Sequence, residues 1–191
     1  MDELTRLALA AGDGDRRALA AFVRASQVEV WRLCAHLVDP DAADDLTQEV
    51  YERAVPALRR FRGESSARTW LLTITRRTCA DHLRRVVRRR RLLERVAATT
   101  TESDALVPDV GDVVAGDDID ALVSTLDPDR RTAFVLTQVL GLSYAEAAEV
   151  SRVPIGTIRS RVARARAELL ERLRVLDAAP AQRPAAGQVG S

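Results

Sequence analysis

The sequence predicts an all-α protein made of two small helical domains joined by a flexible linker, the C-terminal one containing a helix-turn-helix. Three observations predict it. Apolar residues recur at helical spacing on both sides of a long aperiodic stretch. That stretch, residues 96–118, is acidic and rich in Asp, Gly, Thr and Pro, the composition of a linker. Beyond it a short helix, a break at Arg152-Val153-Pro154 and a second amphipathic helix follow in helix-turn-helix order. The expected organisation is domain 1–95, linker 96–118, domain 119–176 and a disordered Ala/Pro/Gly-rich tail 177–191. A length of 191 residues accommodates two such domains.

The first domain opens with a helix over Leu4–Gly12, stopped by glycine, and a longer one over 15–38. In the latter, Leu19, Phe22, Val23, Val30, Leu33 and Leu37 fall on one face, and Phe22 and Trp31 are expected in the core. Asp39-Pro40-Asp41 breaks the chain and supplies the next N-cap. In the helix that follows, Leu46, Val50, Arg53 and Ala54 should lie towards the core. Asp45, Gln48, Glu49 and Glu52 form a polar, mostly anionic ridge. Helix-dipole complementation explains acids in a first turn such as Asp41, Asp44 and Asp45, but not the continuation through Gln48 and Glu49. A rigid acidic ridge suits a basic helical partner. Next, Phe61 to Ser66 read as a loop, with Gly63 freeing the backbone and Ser65, Ser66 or Ala67 opening a helix. In that helix Trp70, Leu71, Ile74 and Leu83 mark an apolar stripe, while Arg76, Arg77, Arg84 and Arg85 give a cationic side. An aromatic loop beside a basic helix offers a stacking surface plus phosphate neutralisation, which strand opening needs.

About 25 linker residues reach at most ~85 Å extended and ~28 Å root-mean-square as a coil, so the flanking domains are expected to be mobile relative to each other. The second domain then shows helices at 119–126, at 127–141 (Asp127 as N-cap, Pro128 at the first position, Gly141 as stop) and at 143–151. Ser143 with Glu146 forms a capping box. Winding residues 154–169 at about 100° per residue gathers Ile158, Val162, Ala165 and Leu169 within ~60°. The opposite face carries Gly156, Ser160, Ala163, Arg164 and Ala167, with Thr157 and Arg159 on its flanks. One side docks on a core; the other is small, polar and cationic and suits a DNA major groove.

All 29 basic residues are arginine, and the formal net charge of +1 hides a strong segregation. Residues 39–52 hold six acids and no base, 59–95 thirteen arginines against three acids, 99–129 nine acids and no arginine, and 130–174 nine arginines against four glutamates. Two cationic and two anionic surfaces imply more than one partner. No signal-peptide pattern and no apolar run near ~20 residues is present, so a cytoplasmic protein is expected. Cys34 and Cys79 lack metal spacing and read as buried thiols in a reducing compartment; His36 and His82 read as structural or surface residues. No cofactor or metal is expected. No carboxylate triad, HxxH pair or activated serine is present, and Asp44 and Asp45 on an exposed helix suit protein contact better than chelation, so an enzyme is not expected.

The motifs DDLTQEVYERA, FRGESSARTWLLTITRR and GLSYAEAAEVSRVPIGTIRSRVARAR, in this order and spacing, resemble the extracytoplasmic-function sigma factors, the smallest group of bacterial RNA polymerase sigma subunits. The resemblance covers about 15–95 and 119–175. It implies a non-catalytic subunit that binds core RNA polymerase and directs promoter recognition, melting and transcription initiation. It implies that Asp44, Asp45, Leu46, Gln48, Glu49, Glu52 and Arg53 face the coiled coil of the largest polymerase subunit. For the promoter −10 element it implies Ala57, Phe61, Ile74 and Arg77 around a flipped base, the loop Gly63, Glu64, Ser65 and Ser66, and Trp70, Arg76 and Arg84 beside it. For the −35 element it implies Tyr144, Thr157, Arg159, Ser160, Arg161, Ala163 and Arg164, with the polymerase flap as a further contact. The acidic linker would thread the polymerase RNA path. Family members are commonly held inactive by an anti-sigma partner, although no residue in the sequence identifies one. Arg152 stands where many members have glycine. A left-handed non-glycine residue costs roughly 1 kcal/mol, so a turn of different shape is expected. Arg77 also departs from the small polar residue usual there, so no base preference carries over. The competing reading, a stand-alone helix-turn-helix regulator, accounts for 130–174 but leaves the acidic ridge and the aromatic loop idle.

Overall fold

The computed structural model describes residues 1–99 and 118–178, and among these every regular element is helical. The expected linker and tail lie almost wholly outside the described residues. The N-terminal unit comprises α1 (Glu3–Gly12), α2 (Arg16–Leu37), α3 (Pro40–Leu58) and α4 (Ala67–Thr99). The C-terminal unit comprises α5 (Asp118–Ser124), α6 (Pro128–Phe134) running into a π-helical turn (Val135–Val139), α7 (Tyr144–Ser151) and α8 (Ile155–Ala178). Helix α4 therefore continues through residues 96–99, four residues into the expected linker.

Each start has a local cause. Asp15 accepts hydrogen bonds from the amides of Arg17 (2.7 Å) and Ala18 (3.1 Å) at the start of α2. Asp39 accepts from Ala42 N at 2.7 Å, with Pro40 at the first position of α3. The α4 start is built from two places: Ser66 Oγ accepts from Thr69 N (3.1 Å), and Thr5 Oγ1, on α1, accepts from Ala67 N (2.9 Å). The Thr5 hydroxyl in turn donates to Asp2 at 2.7 Å. Helix α1 also meets the end of α3 closely: a Cβ on Gly12 would lie 2.6 Å from the Leu58 carbonyl oxygen, so only glycine fits.

Phe22, Val30, Leu33, Leu46, Val50, Leu58, Leu71 and Leu72 of the N-terminal unit are buried in one apolar cluster with Val123, Leu126, Leu136, Val150, Ile158 and Val162 of the C-terminal unit. Four expectations need correction. Trp31 is 37% exposed, because its indole N–H reaches out to Asp44 Oδ1 at 2.8 Å instead of packing inward. Leu83 is 38% exposed, outside the buried core although Arg85 close by still pairs with Glu49 of α3. Arg53 is exposed, its guanidinium held over α4 by Thr78 Oγ1 at 3.0 Å. The single helix expected at 127–141 is interrupted by a wider turn, closed by Leu140 N donating to Val135 O at 2.9 Å, with the Thr137 hydroxyl on the Ala133 carbonyl at 2.8 Å.

Helix α7 packs on α4, bringing the two units into contact. Arg68 spans the junction: its Nε donates to Glu29 at 2.9 and 3.1 Å and its Nη2 to the Leu140 carbonyl at 2.5 Å. The Glu29 carboxylate raises the Arg68 pKa further, so this cation stays charged.

Candidate nucleic-acid and polymerase interfaces

The helix-turn-helix is built as its pattern requires. Ser143 Oγ accepts from Glu146 N at 3.2 Å and the Glu146 carboxylate accepts from Ser143 N at 2.8 Å, closing the capping box that starts α7. The Ser143 hydroxyl and amide hold the Glu146 carboxyl below the usual range. At the end of α7, Arg152 sits in the left-handed region (φ 56, ψ 46), with Val153 N donating to Ala148 O at 3.1 Å. The turn thus keeps the left-handed geometry that glycine favours, and the expected change of shape is absent. On α8, Ile158, Val162, Ala165 and Leu169 are all buried, between 0% and 9% exposed. Arg159, Ser160, Ala163 and Arg164 are exposed on the outer side, with Thr157 and Tyr144 half-buried at its edge. Arg161 is different: it is half-buried and ion-paired with Asp129 of α6, so it anchors α8 to the unit.

On α3 the exposed members of the ridge are Asp45, Gln48 and Glu52, a single stripe in which Gln48 donates to Glu52 at 3.3 Å. Asp44 is exposed but taken up by Trp31. Glu49 is half-buried, paired with Arg53 of its own helix and with Arg85 of α4 at 2.9 Å. Leu46 is 2% exposed and belongs to the core, which removes it from any partner-facing surface.

The loop between α3 and α4 turns at Gly63 (φ 71). Phe61 is buried against Trp70, ring centroids 5.1 Å apart and tilted by 46°. Around these rings lies a cleft of about 220 Å³ lined by Arg60, Phe61, Arg62, Glu64, Ser65 and Trp70. That is below the roughly 300–1,000 Å³ of drug-sized sites, and two arginines and one glutamate stand beside the rings. The predicted Phe61, Glu64, Ser65 and Trp70 line it; Ala57, Gly63, Ser66, Ile74 and Arg77 lie outside its lining. Arg60 and Arg62 were missed, although the RRFRG string that carries them frames the aromatic. Arg76, expected on the cationic side of α4, is half-buried and donates through Nε to the Val150 carbonyl at 3.0 Å, at the end of α7. Burial, then the neighbouring Arg77 and Arg152, lower its pKa. Arg84 is exposed beside Asp81. Among the described residues no cluster of three or more His, Cys, Asp or Glu could hold a metal, and no helix is long and apolar enough to cross a membrane.

The N-terminal unit thus carries an acidic ridge and an aromatic cleft beside two arginines, and the C-terminal unit a helix-turn-helix. Comparison with known proteins gives the family. The model for Sigma-70 region 2 matches residues 22–91, and that for Sigma-70, region 4 matches residues 116–169. The ECF RNA polymerase sigma factor SigC of Mycobacterium tuberculosis is 48% identical over 170 residues, covering 88% of this chain and 90% of its own. The ECF RNA polymerase sigma-E factor of Escherichia coli is 31% identical, covering 80% and 85%. Among solved structures, the sigma factor RpoE of Bartonella quintana, crystallised with the anti-sigma factor NepR, is similar with a TM-score of 0.66 and 29% identity, covering 82% of this chain and 97% of that one. CnrH in complex with the cytosolic domain of CnrY has a TM-score of 0.68 at 25% identity, covering 91% and 99%. The chain belongs to the extracytoplasmic-function RNA polymerase sigma factors. It works with core RNA polymerase and promoter DNA in transcription initiation.

Proposed function

We propose that the two units divide the work of a sigma subunit between them, and that neither performs catalysis. The α8 surface reads the promoter −35 element through Arg159, Ser160, Ala163 and Arg164, with Thr157 and Tyr144 at its margin. The observation that carries this reading is the two-sidedness of α8, whose apolar stripe is buried while these four residues stand exposed opposite. A surface of small and cationic side chains allows a helix to sit deep in a major groove and to meet phosphates on either side.

The N-terminal unit takes the −10 element and the polymerase core. The cleft of Phe61 and Trp70 receives a base displaced from the duplex; stacking on the rings offsets an unstacking cost of a few kcal/mol, and Arg60 and Arg62 neutralise adjacent phosphates. The stripe Asp45, Gln48 and Glu52 grips the coiled coil of the largest polymerase subunit, with Arg53 and Arg85 fixing Glu49 behind it. The flap meets the C-terminal unit, and the acidic segment 96–118 follows the RNA path. An anti-sigma partner is in keeping with the solved RpoE relative, crystallised with the anti-sigma factor NepR. The protein acts in the cytoplasm.

Run-off transcription with core polymerase on a fragmented genomic library tests the whole reading: initiation from a defined promoter set should depend on this protein. Asp45→Arg combined with Glu52→Arg should abolish core binding while leaving the helical circular dichroism intact. Retained core binding would refute the ridge assignment.

A further inference from the structure

The sigma-factor reading makes no use of the two cysteines, which are the only ones in the chain. They come from helices far apart in sequence, yet meet inside the N-terminal core. Cys34 of α2 and Cys79 of α4 are 0% and 1% exposed, with their sulfur atoms 3.7 Å apart and no disulfide between them. A disulfide is about 2.05 Å long, so the sulfurs need approach by only ~1.7 Å, within reach of side-chain rotation on two packed helices.

The third side of the pair is closed by α3. Thr47 Oγ1 is buried there and forms no well-made hydrogen bond, an unusual state for a hydroxyl in a core. It lies against Cys34. The Cys79 thiol, then the Thr47 hydroxyl, favour the Cys34 thiolate against the opposing effect of burial, and Cys34 is held below the ordinary thiol range. Cys79 is pushed well above that range by Cys34 and by burial. The two sulfurs share one buried site and ionise as a pair rather than independently. A metal reading has no support, since no third His, Cys, Asp or Glu joins them among the described residues.

Access runs past exposed ion pairs. Thr78, next to Cys79, is held by Arg53 at 3.0 Å, and Arg53 and Arg85 both bind Glu49. Entry of a small oxidant on this side therefore requires a transient local opening of α3 from α4 that breaks this network.

We propose that Cys34 and Cys79 are a redox-active pair, converted by a peroxide-class oxidant into an intramolecular disulfide beneath the α3 ridge. The Cys34 thiolate attacks one peroxide oxygen; a sulfur–oxygen bond forms, the O–O bond breaks, and the leaving hydroxide takes up a proton to become water. The Cys79 sulfur then attacks the Cys34 sulfenic sulfur, forming the S–S bond and breaking S–O. The Cys79 proton and the departing hydroxide give a second water. Two thiols lose two electrons and two protons, and peroxide is reduced to two waters. A thiol reductant restores the pair by exchange.

The test uses the full chain, reduced, treated with hydrogen peroxide, freed of excess oxidant and labelled with a maleimide in denaturant. The expected product is a monomer lighter by about 2 Da, for the two hydrogens lost, that takes no label until a dithiol reductant restores two labelled thiols. Cys34→Ala and Cys79→Ala, each checked for native circular dichroism, should show no such loss of mass. Two thiols still labelled after peroxide treatment that oxidises a model dithiol would overturn the proposal. So would a covalent dimer or a sulfinic product as the main species. The wild-type arm needs neither variant to fold, and because no polymerase is present its outcome is independent of the ridge assignment.

Discussion

Helices α8 and α4 are both basic and both amphipathic, yet they spend their arginines differently. On α8 the core-facing and outward sides are opposite each other, and Arg159 and Arg164 stand exposed without an internal partner. On α4 much of the charge is already engaged. Arg68 is held by Glu29 and Leu140, Arg76 by Val150, Arg84 by Asp81 and Arg85 by Glu49. A charge run in a sequence therefore counts cations without saying which are available. Only the neighbours decide that, and around α4 they are α2, α3 and α7.

The sharpest test of this contrast removes the α8 core side. Ile158→Ala should destabilise the protein by about 2–5 kcal/mol, because a fully buried side chain leaves a cavity. Urea denaturation reads this directly. Arg164→Ala, on the other side of the same helix, should leave stability within about 0.5 kcal/mol while costing ~1–3 kcal/mol in −35 binding by holoenzyme if it reads a base edge. A variant that lost both would show that the two sides of α8 are not separable. On α4 the expectation reverses. Arg76→Ala removes a half-buried hydrogen bond and should cost about 1 kcal/mol of stability, with faster amide exchange in α7. Unchanged exchange there would place α4 in the same category as α8.

The smallest effect is acid sensitivity. Glu146 is held low by Ser143, and Glu168 by Arg172 and Arg130. A carboxylate whose folded pKa is depressed contributes its stability fully above its unfolded value, about 4.3 for Glu, and loses it as pH falls through the folded value. The melting temperature should therefore hold from neutral pH to about 5 and decline below ~4. Ser143→Ala should remove the Glu146 share of that decline and lower stability by about 1 kcal/mol at neutral pH.

What was legible in the sequence follows from where its causes lie. The α8 stripe, the capping box and the Asp39 and Asp127 caps are written within a few residues, and the fold has them in place. Trp31 was misread because residue type alone places an indole inside, whereas its N–H found Asp44 on another helix. Leu83 was misread because an apolar residue at helical spacing need not meet the core, and this one stays exposed. Arg60 and Arg62 sit in a loop, where no period marks which side chains converge. Leu46 shares the acidic motif but not its exposure, since a family pattern names positions and not the directions in which they point. The contact of α4 with α7 leaves no local trace at all.

The hydrogen-bonded chain from Asp2 through Thr5 to the amide of Ala67 has a practical bearing on how the protein is handled. The aromatic loop, Phe61 to Ser66, ends directly before Ala67, so its setting depends in part on the first five residues. A tag ahead of Asp2 has to leave that carboxylate free to hold Thr5. A spacer before residue 1, or a tag at the other end, leaves the loop as the native chain holds it.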